Sequence, residues 1–156
     1  MKYANSVKVS VFVKPEDKED NDIDNKIIEA IKNLVPLDFE KEKLTIGKTG
    51  VEGFNNRNIT IYEIMLTKDA HTNLFIKSLI EKLNPDQKEL LLRQADSRLD
   101  ENLDFFIRLG KPELLRGDYY ITDSGDCFHI KIGIAAFPRK REAALHIIEQ
   151  LFKGSE

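Results

Sequence analysis

Strict alternation of apolar and polar residues marks the first element of the chain. In the segment VKVSVFVK (7–14), every second residue is a valine. Because successive side chains of a strand point to opposite faces, this alternation predicts a half-buried β-strand. The same period predicts strands over 103–109 and 128–135, and the second of these has the more regular apolar face.

Apolar residues at helical spacing lie between these strands and after the last one. They predict helices over four segments, 23–35, 68–83, 85–96 and 139–152. Pro36 ends the first of them. At the start of the third, Asn84 is a suitable N-cap, Pro85 suits the first helical position, and Gln87 occupies the capping-box position.

The remaining segments complete a predicted sheet. Residues 40–48 and 58–66 predict a hairpin because turn-forming residues separate them, and 118–122 predicts a short strand. The resulting order is β-α-β-β-α-α-β-(β)-β-α, in which hairpins dominate. This order predicts one α+β domain over 1–156, with a mainly antiparallel sheet and helices packed on one face.

The composition is typical of a soluble globular protein. Of the 156 residues, 41% are hydrophobic and 33% are charged. No apolar run approaches the roughly 20 residues of a membrane span, and the first residues show no apolar signal core. The one cysteine, Cys127, cannot form an internal disulfide. We therefore expect a cytoplasmic protein that does not associate with membranes.

Two segments resemble ligand-binding loops without meeting their requirements. The acidic segment 15–24 lacks the central glycine of a calcium loop, so it predicts a solvated turn. The segment IGKTG (46–50) has Glu42 where a phosphate-binding loop needs glycine. The histidines and Cys127 show no metal-ligand spacing and no catalytic signature. The sequence thus predicts a protein that is not an enzyme and needs no cofactor or metal.

The charges are distributed unevenly along the chain. The formal net charge of −3 argues against general affinity for nucleic acid. Of the seven arginines, however, only Arg57 lies before residue 91. Arginine suits bidentate phosphate contact and stacking on bases better than lysine does. The distribution therefore directs attention to the C-terminal half.

One cationic segment lies at the start of the last predicted helix. In FPRKREA (137–143), it consists of Arg139, Lys140 and Arg141. The partial positive charge at a helix N-terminus disfavours cations, so this choice predicts a site for a phosphate group. An ordinary solvated turn is the alternative.

A second cationic segment is FFIRLGKPELLRGDYY (105–120). Arg108 projects from the polar face of its strand, and Lys111 and Arg116 follow within a proline-containing connection. Tyr119 and Tyr120 offer a stacking surface, or one of them lies in the core and the other at its rim. A composite site requires this segment and residues 139–141 to share one face of the protein.

The segment 98–152 resembles an archaeal family of RNA-binding-domain proteins that are predicted to be exosome-associated. The matching positions are Arg98, Asp100, Glu101, 108–112 (RLGKP), Gly117, Asp126 and 137–141 (FPRKR). Gly110 and Pro112 stand where the family favours Asp and Gln. The N-terminal strand, acidic turn and first helix are also similar. The family is similar in fold to the ribosomal large-subunit protein that binds the small ribosomal RNA, which implies an α+β sheet covered by helices.

The residues and the resemblance together predict a non-catalytic RNA-binding protein. Its expected RNA contacts are all cationic: Arg98, Arg108, Lys111, Arg116, Arg139, Lys140 and Arg141. Such contacts favour structured RNA, for example ribosomal or transfer RNA, recognised through phosphates and shape. The resemblance implies association with ribosomes or with a protein complex of RNA processing. The alternative is a protein-interaction module, including a homo-oligomer formed through a sheet edge or a helix face.

Overall fold

The computed structural model describes residues 2–53 and 57–153. Its strands are β1 (Ala4–Val13), β2 (Gly47–Glu52), β3 (Asn58–Leu66), β4 (Asp104–Gly110) and β5 (Cys127–Ile134). Its α-helices are α1 (Ile23–Leu34), α2 (Asp69–Lys82), α3 (Pro85–Arg93), α4 (Ala95–Arg98), α5 (Lys111–Leu115) and α6 (Arg141–Phe152). A 3-10 helix, Pro15–Glu19, follows β1.

The strands form one sheet in the order β2-β3-β1-β5-β4, and every neighbouring pair is antiparallel. The strand with the clearest valine alternation, β1, lies at the centre between β3 and β5. The predicted α+β class with an antiparallel sheet is confirmed. Among the described residues, no helix is long and apolar enough to cross a membrane.

One face of this sheet is buried beneath the helices. The alternating valines of β1 are fully buried on that face. Tyr62 of β3 donates a hydrogen bond to Asp24 of α1, and the ring of Phe105 in β4 lies 6.0 Å from the ring of Phe152 in α6. Burial of a side chain of this size stabilises the fold by roughly 1.5–3 kcal/mol. The core therefore lies between the sheet and one layer of helices.

The first strand of the predicted hairpin lies elsewhere. β2 spans Gly47–Glu52 rather than 40–48, although it pairs with β3 as expected. Leu44 and Ile46 are half-buried and pack against the core from an irregular segment, and Lys43 has a left-handed backbone with φ of 57°. All six β2 residues are exposed, so the strand has no apolar alternation that could indicate its position in the sequence.

The start of α3 has the predicted N-cap but not the predicted capping box. Asn84 caps α3 as predicted, because its Oδ1 accepts the N–H of Gln87 at 2.8 Å. The side chain of Gln87 does not close a capping box. Its Oε1 accepts the N–H of Ile121 at 2.7 Å. The predicted strand 118–122 is reduced to one bridge between Ile121 and Leu109.

Candidate nucleic-acid interface

The other face of the sheet, in the part of the chain that the structure describes, is not covered by a helix. Two rows of side chains cross it from β4 through β5 to β1. In the first row Phe106 lies opposite Lys131, which lies opposite Lys8. In the second row Arg108 lies opposite His129, which lies opposite Ser10. We call these six residues the open-face cluster; each is half-buried or exposed, and together they line one shallow depression.

Aromatic groups form the floor of this surface. Phe106 is half-buried, and Phe12 at the far end of β1 is 40% exposed. The ring centroids of Phe12 and His129 lie 5.8 Å apart, and the ring planes are inclined by 41°. Exposed aromatic rings on a sheet offer stacking platforms for unpaired bases, with an apolar surface that water solvates poorly.

The lysines of the cluster make exchangeable ion pairs. Lys8 Nζ lies 3.2 Å from Glu63, and Lys131 Nζ lies 3.5 Å from Asp104. The two lysine side chains are 35% and 46% exposed. Ion pairs at such exposure contribute about 0–1 kcal/mol to stability. A phosphate group can therefore replace the carboxylates at little cost.

Arg108 is exposed and positioned by the turn that precedes β5. Its Nη1 donates to the carbonyl of Asp123 at 2.8 Å. Because one donor binds that carbonyl, the guanidinium keeps further N–H groups for another acceptor. The open-face cluster thus contains an oriented arginine beside aromatic rings, an arrangement that suits phosphate contact and stacking.

His129 is neutral in its folded environment at neutral pH. Burial, and then the neighbouring Arg108 guanidinium, lower the pKa of His129 below its ordinary value, while Asp126 opposes this shift. Its Nε2 lies 3.7 Å from the Sγ of Cys127. A neutral imidazole can stack on a base and donate or accept a hydrogen bond.

Arg98 supports this surface from the edge of the sheet. Its side chain is 9% exposed, and its Nη1 donates to the carbonyl of Phe106 at 3.3 Å. Its Nη2 donates to Gln94 and Asp123 at 2.6 and 3.0 Å. Burial is the main cause of its lowered pKa. The N–H donors of Arg98 are therefore used by a backbone carbonyl of β4 and by neighbouring side chains, so they are not available to a phosphate group.

Lys111 is a buried structural cation and not part of an exposed surface. Its side chain is 3% exposed, and its Nζ binds Asp126 at 2.8 Å, Asp17 at 3.0 Å and the carbonyl of Phe12. The acidic segment 15–24 is therefore not merely a solvated turn, since Asp17 also accepts the N–H of Lys14. The sequence analysis placed Lys111 among the exposed RNA contacts, and the structure corrects this. The sequence does not show which carboxylates contact Lys111, because Asp17 is distant in the chain.

Arg116 lies in a different place from Arg108. It is exposed at a groove on the helical side, bounded by α1, the end of α2 and the segment after α5. Tyr119 lines the same groove, where Lys82 Nζ lies 5.4 Å from its ring centroid, and burial raises the pKa of Tyr119 to about 12. Tyr119 is half-buried and Tyr120 is 52% exposed.

The cations before and at the start of α6 form a third group. Arg139 donates to the carbonyl of Asn102 at 3.2 Å, and Lys140 is exposed at the N-cap. Arg141 binds the carboxylate of Asp96 at 2.8 Å and the carbonyl of Leu99 at 3.1 Å. These arginines join the start of α6 to α4 and to the connection between α4 and β4. Helix α6 begins at Arg141 rather than at 139.

The prediction of one composite cationic surface is therefore wrong. The tract from Arg108 to Arg116 divides among the open sheet face, the interior and the helical groove. Arg98 and Arg108 do come together, through Asp123. The sequence does contain a signal for the open-face cluster, although the cationic segments drew attention away from it. Phe106 and Arg108 lie two positions apart on the polar side of one strand, and His129 and Lys131 do so on the next.

Among the described residues, no group of three or more His, Cys, Asp or Glu side chains could hold a metal ion. Burial raises the pKa of the Cys127 thiol, so at neutral pH the thiol form is favoured over the reactive thiolate.

A family model described as RNA binding matches residues 6–134. The chain belongs to this family. The RNA-binding protein PAB1135 of Pyrococcus abyssi is 23% identical over 154 residues, which cover 98% of this chain and 96% of that protein. The match to the RNA-binding family contains all six residues of the open-face cluster, whereas α6 and residues 137–141 lie beyond it.

Solved structures of archaeal proteins share the fold. Protein AF2318 from Archaeoglobus fulgidus superposes with a TM-score of 0.80 at 27% identity, covering 95% of this chain and 99% of that one. Mth689, a DUF54 protein from Methanothermobacter thermautotrophicus, gives a TM-score of 0.73 at 26% identity, covering 96% and 98%. This membership confirms that the chain resembles an archaeal RNA-binding family, whereas exosome association and similarity to a ribosomal protein stay predictions.

Proposed function

We propose that the protein is a non-catalytic RNA-binding protein that holds unpaired nucleotides on the open face of its sheet. The observation that carries this proposal is the pair of rows Phe106–Lys131–Lys8 and Arg108–His129–Ser10. They combine aromatic rings, exposed cations and hydrogen-bonding groups within one depression. Family membership and the name of the Pyrococcus relative support RNA as the ligand.

The roles within the cluster follow from the chemistry of each side chain. Phe106 and His129 would stack on bases, which is worth about 1–3 kcal/mol per base and tolerates different sequences. Arg108, Lys131 and Lys8 would contact phosphates and orient the strand. The acidic groups that pair with the lysines, Glu63 and Asp104, would compete with phosphate and so moderate the affinity.

The open face also suits the kinds of RNA expected from the sequence. A structured RNA such as a ribosomal or transfer RNA would present its loop nucleotides here, because bases in a continuous duplex are not available for stacking. Arg139 and Lys140, both exposed, would extend the contact to a neighbouring phosphate of a longer RNA. Association with ribosomes or an RNA-processing complex would follow from the RNA that is bound.

The test is a fluorescence-anisotropy titration of a labelled unstructured RNA 12-mer and of a transfer RNA at several salt concentrations. Replacement of Arg108 and Lys131 by alanine should weaken binding. It should also reduce the magnitude of the slope of log affinity against log salt by roughly 0.7 for each phosphate of a single strand that is no longer neutralised. Arg116→Ala is the matched control, because this arginine is also exposed but lies on the helical side.

Two results would contradict the proposal. One is the absence of micromolar binding to either RNA near physiological salt. The other is an equal loss of affinity from Arg116→Ala, which would move the interface to the groove between α1 and the segment after α5. Circular dichroism spectra of all variants show whether the fold is kept.

A further inference from the structure

Strand β2 forms an exposed edge of the sheet. It pairs with β3 on one side, and all its residues from Gly47 to Glu52 are exposed. The edge at β4 differs, because Arg98 binds the carbonyl of Phe106 and backbone groups of residues 120 and 122 bind Gly110 and Arg108. An uncovered strand edge presents unpaired N–H and C=O groups to another strand.

One hydrogen bond identifies which backbone groups of β2 point outward. Just beyond β2, the N–H of Gly53 donates to the carbonyl of Arg57 at 2.6 Å. Backbone groups of an antiparallel strand point alternately to its two sides. Those of Thr49 and Val51 therefore point to β3, and those of Lys48, Gly50 and Glu52 point away from the sheet.

The outward groups permit antiparallel pairing of β2 with the β2 of another copy, centred on Gly50. In that register Gly50 exchanges two hydrogen bonds with its equivalent, and Lys48 lies opposite Glu52 of the second copy, twice. If the pairing is centred on residue 48, Lys48 lies opposite Lys48 of the second copy, and if it is centred on residue 52, Glu52 lies opposite Glu52. If it is centred on residue 49 or 51, Lys48 and Glu52 no longer lie opposite each other. Opposite charges across an antiparallel pair stabilise it, and like charges destabilise it.

The side chains leave space for this pairing. Gly50 is exposed, and a Cβ atom built on it would have no heavy atom within 4 Å, so the sheet face at this position is open. Lys48 lies on the helical side, with Nζ 5.6 Å from the Tyr62 ring centroid. On the other side, Thr49 would lie opposite Val51, which is 43% exposed, and β-branched pairs of this kind favour strand association.

We propose that the protein self-associates through β2, in an antiparallel pair about a two-fold axis at Gly50. That axis is perpendicular to the sheet, so the two sheets join into one and both open faces point to the same side. The area involved is small, because one short strand meets another. The dimer is accordingly weak and reversible, of the kind found below about 1,200 Å² of buried surface.

The unmodified protein tests this directly by nuclear magnetic resonance over a concentration series from about 20 μM to 1 mM. The amide signals of Lys48, Gly50 and Glu52 should shift with concentration and gain protection from solvent exchange. Those of Thr49 and Val51, which already bond to β3, should gain much less. Sedimentation equilibrium on the same samples should show a monomer–dimer equilibrium.

Charge reversal tests the register. Lys48→Glu alone or Glu52→Lys alone should weaken the dimer by about tenfold, since two attractive pairs become repulsive. The double variant Lys48→Glu/Glu52→Lys should restore it, and Lys41→Glu should leave it unchanged because this exposed lysine lies outside β2. Gly50→Pro should also weaken it, because proline removes the outward N–H without removing a bond to β3.

Four outcomes overturn the proposal. The first is a strictly monomeric protein at 1 mM. The second is a dimer that the single charge reversals and Gly50→Pro leave intact, since it would use another surface. The third is a dimer that the double reversal does not restore. Capture of a strand from a different protein, with no self-association of the purified chain, also counts against it.

Discussion

Arg108 and His129 occupy directly opposed positions on β4 and β5, and both project from the face of the sheet that the helices leave open. The arginine is held by the carbonyl of Asp123, and its charge helps to keep the imidazole neutral. A cation and a neutral ring side by side can contact the phosphate and the base of one nucleotide. Arg116 and Tyr119, by contrast, line the groove on the helical side and are not part of the open face.

The phenyl ring of Phe106 should contribute to RNA affinity by stacking. Phe106→Ala should weaken binding of an unstructured RNA by about 1–3 kcal/mol, with little change in the salt slope, because no charge is removed. Anisotropy titrations at two salt concentrations measure both quantities. Phe106→Tyr, which keeps the ring, should retain most of the affinity.

Phe137 provides the matched control for that experiment. It is 96% exposed and precedes the cations at 139–141. Phe137→Ala should leave binding of a short RNA unchanged if the open face is the site. A larger loss from Phe137→Ala than from Phe106→Ala would place the stacking surface at the start of α6 and contradict the prediction.

Removing the buried charge of Lys111 should strongly destabilise the fold. Lys111→Ala leaves Asp17 without its cation and leaves Asp126 only the more exposed Lys14 at 4.0 Å. It should lower the free energy of unfolding by about 2–3 kcal/mol, somewhat less than for a fully buried pair because both carboxylates retain contact with water. Urea denaturation followed by circular dichroism measures this. Lys131→Ala removes an exposed pair with Asp104 and should cost about 0.5 kcal/mol. Equal losses for the two variants would contradict a structural role for Lys111.

His129 should make stability depend on pH in the mildly acidic range. Its pKa is lowered in the folded state, so the unfolded chain binds the proton more readily. Stability is therefore complete above the unfolded pKa of about 6.5 and falls as pH decreases toward the folded pKa. Burial is the main cause of the lowered pKa of His129; of its charged neighbours, Arg108 also lowers this pKa and Asp126 raises it.

The variant His129→Gln should lose less stability than the natural protein between pH 7 and pH 5. Thermal or urea unfolding at half-unit intervals provides the comparison, and the difference between the two curves isolates the histidine from the carboxylates. His146→Gln, at an exposed position of α6, is the control for replacing a histidine elsewhere in the protein. Parallel curves for His129→Gln and the natural protein would rule out the proposed linkage.

The cap at Asn84 should contribute measurably to the stability of α3. Asn84→Ala removes the acceptor for the N–H of Gln87 and should cost about 1 kcal/mol, whereas Asn84→Asp keeps an acceptor at the same place and should cost much less. Chemical denaturation measures both. A loss as large for aspartate as for alanine would show that the amide nitrogen, not the cap oxygen, is the important atom.

The sequence alone was sufficient where the determining interactions are local or periodic. The valines of β1 alternate because one side of that strand is buried, and the central antiparallel sheet follows from this and from the similar pattern of β5. Asn84 was recognised because an N-cap acts on an amide three residues away. By contrast, the fully exposed β2 has no such periodicity, and its predicted position was wrong.

The site depended on contacts between residues far apart in the chain. Lys111 meets Asp17 across 94 positions, and Gln87 turns to Ile121 instead of to its own helix. Arginine and lysine look alike along a sequence whether they are desolvated in an ion pair or exposed on a surface, because their environment comes from distant elements. Alternation could place Phe106, Arg108, His129 and Lys131 on polar sides of their strands. Only the antiparallel register, which aligns Phe106 with Lys131 and Arg108 with His129, made them one surface.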